Sequence, residues 1–220
     1  MVLVVGLGNP GKEYVGNRHN VGFMTAERLR SEQALPDFRD KFSGSFTKGS
    51  AFGDDLALLL PRTFMNLSGE SVQPACAFLK IAPADVIVVH DELDLPFGEV
   101  RLKIGGGHAG HNGLRTLIQR LGTPDFVRVR VGVGRPPAGF HGDVADFVLA
   151  DFNASERAEL PPVIGRALTA IERVAKDGVQ AAMAALHAPP PKPPKPPKPP
   201  KPPEAAKPVN APKPPPDPPK

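Results

Sequence analysis

From Pro189 to its end the chain reads PPPKPPKPPKPPKPPEAAKPVNAPKPPPDPPK. A stretch this poor in apolar side chains has nothing to bury and cannot build a core. Folding is thereby confined to about residues 1–187, and residues 188–220 form a low-complexity Pro/Lys-rich tail. A body of that length suits one α/β domain with a single good core.

The tail also explains the charge. Of the 27 Lys and Arg and 23 Asp and Glu in the whole chain, seven lysines and two acids lie in the tail, which leaves 20 basic and 21 acidic residues in the body. The body is therefore close to neutral. If it binds nucleic acid, it must do so through a local basic patch and not through its overall field. Within the tail, lysines recur at every third residue from Lys192 to Lys201. A polyproline II helix has about three residues per turn, so these lysines would form one stripe about 9 Å apart. Such a stripe suits weak electrostatic contact with RNA or another polyanion. The reading the composition favours is a solvated, disordered extension.

Cys76 is the one cysteine, so no disulfide can form within the chain, which suits a reducing compartment. The N-terminus has no basic region followed by an apolar run and a small-residue cleavage site. No apolar run approaches the length of a membrane span. The expectation is a soluble, cytoplasmic protein with no membrane contact.

Val2 to Val5 is apolar throughout and ends at Gly6, the pattern of a buried strand. Residues 6–20 read as an irregular loop, and Val21 to Ser31 as a helix. Phe42 to Thr47 and Leu56 to Leu60 are strand candidates. Ser68 to Ile81 reads as a helix, with Ser68 at its N-cap. Val86 to Val89 is a second buried strand that runs straight into His90-Asp91-Glu92. Glu99 to Ile104 alternates. Leu114, Leu117, Ile118 and Leu121 follow one helical face, closed by Gly122. Phe126 to Val133 alternates valines with Arg128 and Arg130, both of which could simply solvate the open face of the strand. Leu160 to Leu186 reads as a long helical stretch, with a break at Asp177-Gly178. The alternation predicts a mixed, twisted β-sheet flanked by helices.

Gly6-Leu7-Gly8-Asn9-Pro10-Gly11 matches the dinucleotide-binding fingerprint literally. That fold needs the third glycine to open a helix and an acid to end the next strand. Here KEYVGNRHNVG follows with no helical period, and Glu27 and Glu32 fall inside a helix. The context fails, so the motif reads as a turn after a strand that presents Asn9 at a sheet edge.

Polar groups recur at other strand ends and glycine-rich loops: Arg18-His19-Asn20, Met65-Asn66, His90-Asp91-Glu92 and the run from His108 to Gly113. There is no G-x-S-x-G elbow, and Cys76 has no histidine near it in sequence, so a covalent nucleophile has little support. A metal site built from His108, His111 and Asp91 lacks any ligand motif of known spacing. A histidine, a carboxylate and several carboxamides remain. Such a set suits hydrolysis by activated water: a neutral imidazole takes a proton, a carboxylate orients it, and amides bind an oxyanion. An ester is a plausible target.

GLGNPGKEY, RHNVG, TFMNLSGE, HDELDLPFG, GGGHAGHNGL and FVRVRVGVGRP occur in that order from residue 3 to about residue 136. Together they resemble the bacterial peptidyl-tRNA hydrolase family, with weaker similarity to about residue 187. The resemblance implies that the chain hydrolyses the ester between peptide and tRNA and so recycles tRNA from interrupted translation. It implies His19 as the base, Asp91 as its partner, and Asn9 as the residue that helps distinguish peptidyl from free aminoacyl substrates. It implies that Asn66 and Asn112 hydrogen-bond the peptide or ester end, that Tyr14 and Phe64 line the tRNA-contacting site, and that Lys103 and Arg130 form a phosphate-binding patch. It implies no metal and no organic cofactor, and a monomer. Asn17 is a departure, since the family more often has Thr there. The competing reading is a non-catalytic RNA-binding module on the same fold. Asn112 could instead be the N-cap of its helix, and His111 could only position its loop.

Overall fold

The computed structural model describes residues 1–187, so the tail lies outside the described residues. The strands are β1 (Val2–Gly6), β2 (Arg39–Lys41), β3 (Gly44–Ala51), β4 (Asp54–Pro61), β5 (Val86–Glu92), β6 (Val100–Ile104) and β7 (Val127–Gly132). The helices are α1 (Val21–Glu32), α2 (Ser68–Leu79), α3 (Asn112–Leu121), α4 (Val144–Leu149), α5 (Ala154–Asp177) and α6 (Val179–His187). One mixed sheet runs β2-β3-β4-β1-β5-β7-β6. Its centre, β4-β1-β5-β7, is parallel, and β2, β3 and β6 pair antiparallel at the two sides.

The central strands are apolar on both faces because both faces are covered. Leu3 and Val5 of β1 pack with Val86 and Val88 of β5 toward residues of α2 and α3. Val4 and Ile87 point the other way, into a cluster with Ala26 and Leu29 of α1 and Ala167 and Ile171 of α5. From β1 the chain proceeds to β2, β3 and β4 on one side, whereas from β5 it proceeds to β6 and β7 on the other. The carboxyl ends of β1 and β5 therefore flank a topological switch point, where crevices form in open α/β sheets.

Close backbone contact sets α1 over that point. A Cβ on Gly22 would lie 2.5 Å from Leu7 N, Leu7 O and Val89 O, and one on Gly6 would lie 2.4 Å from Gly22 O. Both glycines are thus required for space. Of the three fingerprint glycines only Gly11, at φ 127°, adopts a backbone conformation that favours glycine.

Several expectations need correction. Phe42 and Ser43 are not strand residues: they form the turn between β2 and β3, with φ of 57° and 50°. Strand β2 is charged and exposed throughout, so it has no apolar signal. Ser68 is the first residue of α2 and not its cap; its hydroxyl donates to Met65 O at 2.9 Å. Helix α2 stops at Leu79, where Lys80 turns to φ 55°. Helix α4 has no counterpart in the sequence reading. Helix α5 begins at Ala154 and not Leu160, behind a capping box formed by Asn153 and Glu156. The break before α6 falls at Gly178, as the sequence reading placed it.

Candidate active site

A cavity of about 880 Å³ opens at the carboxyl ends of β1 and β5. All nine residues to which the family resemblance gives a role line it: Asn9, Tyr14, His19, Phe64, Asn66, Asp91, Lys103, Asn112 and Arg130. Among the described residues no other cavity of comparable size contains any of them.

His19 stands in the single turn Arg18–Asn20 that leads into α1, and Asp91 is the last residue but one of β5. His19 Nδ1 lies 2.8 Å from Asp91 Oδ1, and His111 Nε2 lies 3.1 Å from the same oxygen. Burial would by itself raise the Asp91 pKa, but the charges and hydrogen bonds of His19 and His111 hold it well below the usual carboxylate value. An ionised carboxylate only accepts, so each facing ring nitrogen donates. The His111 tautomer is confirmed from its other side, because His111 Nδ1 accepts from the N–H of Leu114 at 3.3 Å. His19 is left with a proton on Nδ1 and a lone pair on Nε2. Burial pulls the His19 pKa down, yet the Asp91 charge and hydrogen bond outweigh it and the net shift is upward from 6.5.

His90 completes a row of three imidazoles, the His111 ring centroid lying 4.9 Å from that of His19, tilted by 45°, and 5.0 Å from that of His90, edge-on at 81°. Its Nδ1 donates to Asp91 O at 2.7 Å, and burial, reinforced by His111, lowers its pKa to about 3. It is neutral throughout the physiological range.

Asn9 is held on three sides. Its N–H donates to Asn20 Oδ1 at 2.8 Å, its carbonyl accepts from Asn20 Nδ2 at 2.9 Å, and its Oδ1 accepts from Met65 N–H at 2.8 Å. A backbone N–H can only be met by the amide oxygen, so the orientation of the side chain follows. Asn9 Nδ2 is the group left to donate into the cavity. Asn20, buried beside His19, ties Asn9 to the His19 turn.

Around the rim, Tyr14 and Phe64 flank the Asn9 side; Phe64 is 58% exposed. Asn66 and Asn112 are exposed. Asn112 is the first residue of α3 and not its cap; His111 is the cap. On the opposite rim, Lys103 of β6 is exposed and Arg130 of β7 donates to Glu92 Oε2 at 2.8 Å. Arg128 does not solvate an open face. It is 2% exposed and donates from its two Nη groups to Gly107 O at 2.6 Å and Gly106 O at 2.5 Å, which ties down the loop before His111.

The side chains of His19, Asp91 and His111 offer ligand atoms within 4.8 Å of one another, the one such group among the described residues. It differs from the set weighed from sequence in that His19 replaces His108. As the hydrogen bonds stand, both imidazole nitrogens that face Asp91 carry protons. An ion bound there would have to displace both.

His111, Asn20, Arg128 and the α4 wall (Val144, Ala145, Val148 and Leu149) are the parts of the site that sequence reasoning missed or undervalued. The adjacency of His111 to Asn112 and of Asn20 to His19 was the available signal.

The family model described as Peptidyl-tRNA hydrolase matches residues 3–195. The chain is 60% identical over 183 residues to a peptidyl-tRNA hydrolase of Sorangium cellulosum, which covers 83% of this chain and 82% of that protein. It is 50% identical over 182 residues to that of Geotalea daltonii, which covers 83% of this chain and 94% of that protein. A crystal structure of peptidyl-tRNA hydrolase from Acinetobacter baumannii is similar with a TM-score of 0.79 and 41% identity, over 86% of this chain and 95% of the other.

Proposed function

This chain belongs to the bacterial peptidyl-tRNA hydrolase family, and we propose that it cleaves the ester of peptidyl-tRNA by having His19 Nε2 activate water. The hydrolase activity follows from the family; the residue roles are the proposal. The observation that carries it is the His19 Nδ1–Asp91 Oδ1 bond of 2.8 Å, which leaves the Nε2 lone pair as the one basic nitrogen of that ring.

Water gives its proton to His19 Nε2 as its oxygen attacks the ester carbonyl. Asp91, anionic and buried, stabilises the imidazolium that forms. Asn9 Nδ2 donates to the substrate and helps separate a peptidyl amide from a free amino group. Asn66 and Asn112 hydrogen-bond the peptide or the ester end. When the C–O bond breaks, the imidazolium returns its proton to the leaving tRNA oxygen, and the products are free tRNA and a peptide carboxylic acid, which gives its proton to solvent. Tyr14 and Phe64 line the path of the tRNA end. Lys103 and Arg130 hold phosphate, which answers the need of a near-neutral body for a local basic patch. Nothing in this sequence of steps calls for a cofactor.

The reading extends to a cytoplasmic protein, which the single buried cysteine suits. Among the described residues no helix is long and apolar enough to cross a membrane. The test is incubation with N-blocked aminoacyl-tRNA, with unblocked aminoacyl-tRNA as the control. Ester cleavage of the blocked substrate alone is expected. No cleavage would favour the non-catalytic RNA-binding alternative.

A further inference from the structure

The residue before His19 is a charged side chain that never reaches the cavity. Arg18 is 6% exposed, and its guanidinium lies between the end of α4 and the start of α5. Nη1 is placed to donate to three carbonyls: Phe147 O at 3.3 Å, Ala150 O at 3.1 Å and Asp151 O at 2.9 Å. Nη2 donates to Glu156 Oε2 at 2.6 Å. The guanidinium also lies 4.3 Å from the centroid of the Phe147 ring.

The backbone around it is fastened to the same segment. Arg18 N–H donates to Ala150 O at 3.2 Å, and Phe152 N–H donates to Gly16 O at 3.1 Å. Asn17 bridges Asp151, and its Nδ2 donates to Leu149 O. The turn that carries His19 is thus joined to residues 147–156 by side chain and backbone alike.

What it is joined to forms a wall of the cavity. Val144, Ala145, Val148 and Leu149 of α4 line it. A helix of six residues is too short to hold itself in water, and its last carbonyls lack intrahelical donors. Asn17 Nδ2 meets one of them, Leu149 O, and Arg18 Nη1 another, Phe147 O, together with Ala150 O and Asp151 O just beyond the helix. The guanidinium also places a positive charge at the end of the helix where one is favourable. Glu156 compensates the buried charge.

We infer that Arg18 is a positioning residue for the hydrolysis, holding the His19 turn and the α4 wall in one fixed relation so that substrate lying against α4 meets Nε2 in register. This rests on His19 as the base. Arg18 makes no cavity contact, so its loss removes no direct contact to the tRNA and acts through the relation of His19 to the α4 wall. Loosening the turn also loosens His19 from the groups that face it, which are Asp91 on β5, His111 at the start of α3, and His90 behind His111.

The experiment uses the full chain carrying Arg18→Lys, and Glu156→Gln as a second variant should the first not fold. Lys retains the charge but cannot reach three carbonyls and Glu156 together. Three quantities are measured: single-turnover cleavage of N-blocked aminoacyl-tRNA, affinity for uncharged tRNA, and titration of the His19 ring by NMR. Arg18→Lys is expected to slow cleavage about tenfold or more with tRNA affinity unchanged, and to move the His19 midpoint down toward its ordinary value. Glu156→Gln is expected to shift the same quantities less far. Wild-type cleavage and titration in whichever variants fold, with only the melting temperature lowered, would overturn the inference and leave Arg18 a purely structural strut. Retained turnover in His19→Ala would instead remove the base assignment, a failure that the NMR titration distinguishes because it reads the His19 environment without reference to activity.

Discussion

His19 Nδ1 and Asp91 Oδ1 stand 2.8 Å apart although the two residues lie on different elements, the turn before α1 and the end of β5. The pairing raises the His19 pKa and lowers that of Asp91. Only deprotonated His19 can act as the base. kcat/KM is therefore expected to rise with pH through a midpoint above 6.5 and then level off. The pair acts on stability in the opposite sense. The His19 contribution is complete below 6.5 and is lost as pH rises through its raised folded value, whereas the Asp91 contribution is present above 3.8 and is lost as pH falls. In Asp91→Asn only burial remains to act on His19, so the kinetic midpoint should fall below that of the wild type and the rate should drop about a hundredfold. A pH–rate profile of both proteins checks this.

Asn9→Asp separates the two ends of one amide. An Asp oxygen can still accept from Met65 N–H, but the Nδ2 donor is gone. A loss of about 10² in kcat/KM is expected, with tRNA affinity preserved. Steady-state kinetics beside tRNA binding would show it.

Lys103 and Arg130 should behave differently when each is replaced by Ala. Lys103 is exposed, so its loss weakens tRNA binding and lowers the salt slope by about one. Loss of Arg130 also strips Glu92 of its ion-pair partner and costs stability besides. Binding isotherms at several salt concentrations, with thermal melts, separate the two effects.

Gly22→Ala places a methyl group 2.5 Å from three backbone atoms, Leu7 N and O just after β1 and Val89 O in β5. The expected cost is about 3 kcal/mol or more, or roughly 10 °C in Tm. Calorimetry would measure it.

The mixed sheet and the polar motifs that carry Asn9, His19, Asn66, Asp91 and Asn112 were legible because buried strands write themselves as apolar runs and their ends as sudden polar motifs, whereas Tyr14, Phe64, Lys103 and Arg130 entered as site residues only through the family resemblance. The rest was hidden for physical reasons. Strand β2 carries only exposed charges, and α4 is too short to establish a period. Arg128 alternates with valines as a solvated residue would, and only the fold reveals that it meets two glycine carbonyls. The glycines of GLGNPG imitated a phosphate cradle. Gly6 in fact makes room for Gly22 O, a contact to a residue far along the chain that no local pattern reports. Asn153 and Glu156 did carry a capping-box spacing in plain view, ahead of the helix that the apolar pattern placed too late.

A chain ending at residue 188 contains all the described residues that line the cavity and should cleave as fast as the full chain. Its tRNA affinity at two salt concentrations decides the role of the tail. A reduced salt slope would mark the lysine stripe as an RNA contact, and an unchanged one a solvating extension.

The central claim is that His19 is the base, and single-turnover cleavage of N-blocked aminoacyl-tRNA by His19→Ala tests it most directly. The account predicts a fall of about 10² to 10⁴ in rate with tRNA still bound at wild-type affinity. Turnover equal to that of the wild type would contradict it.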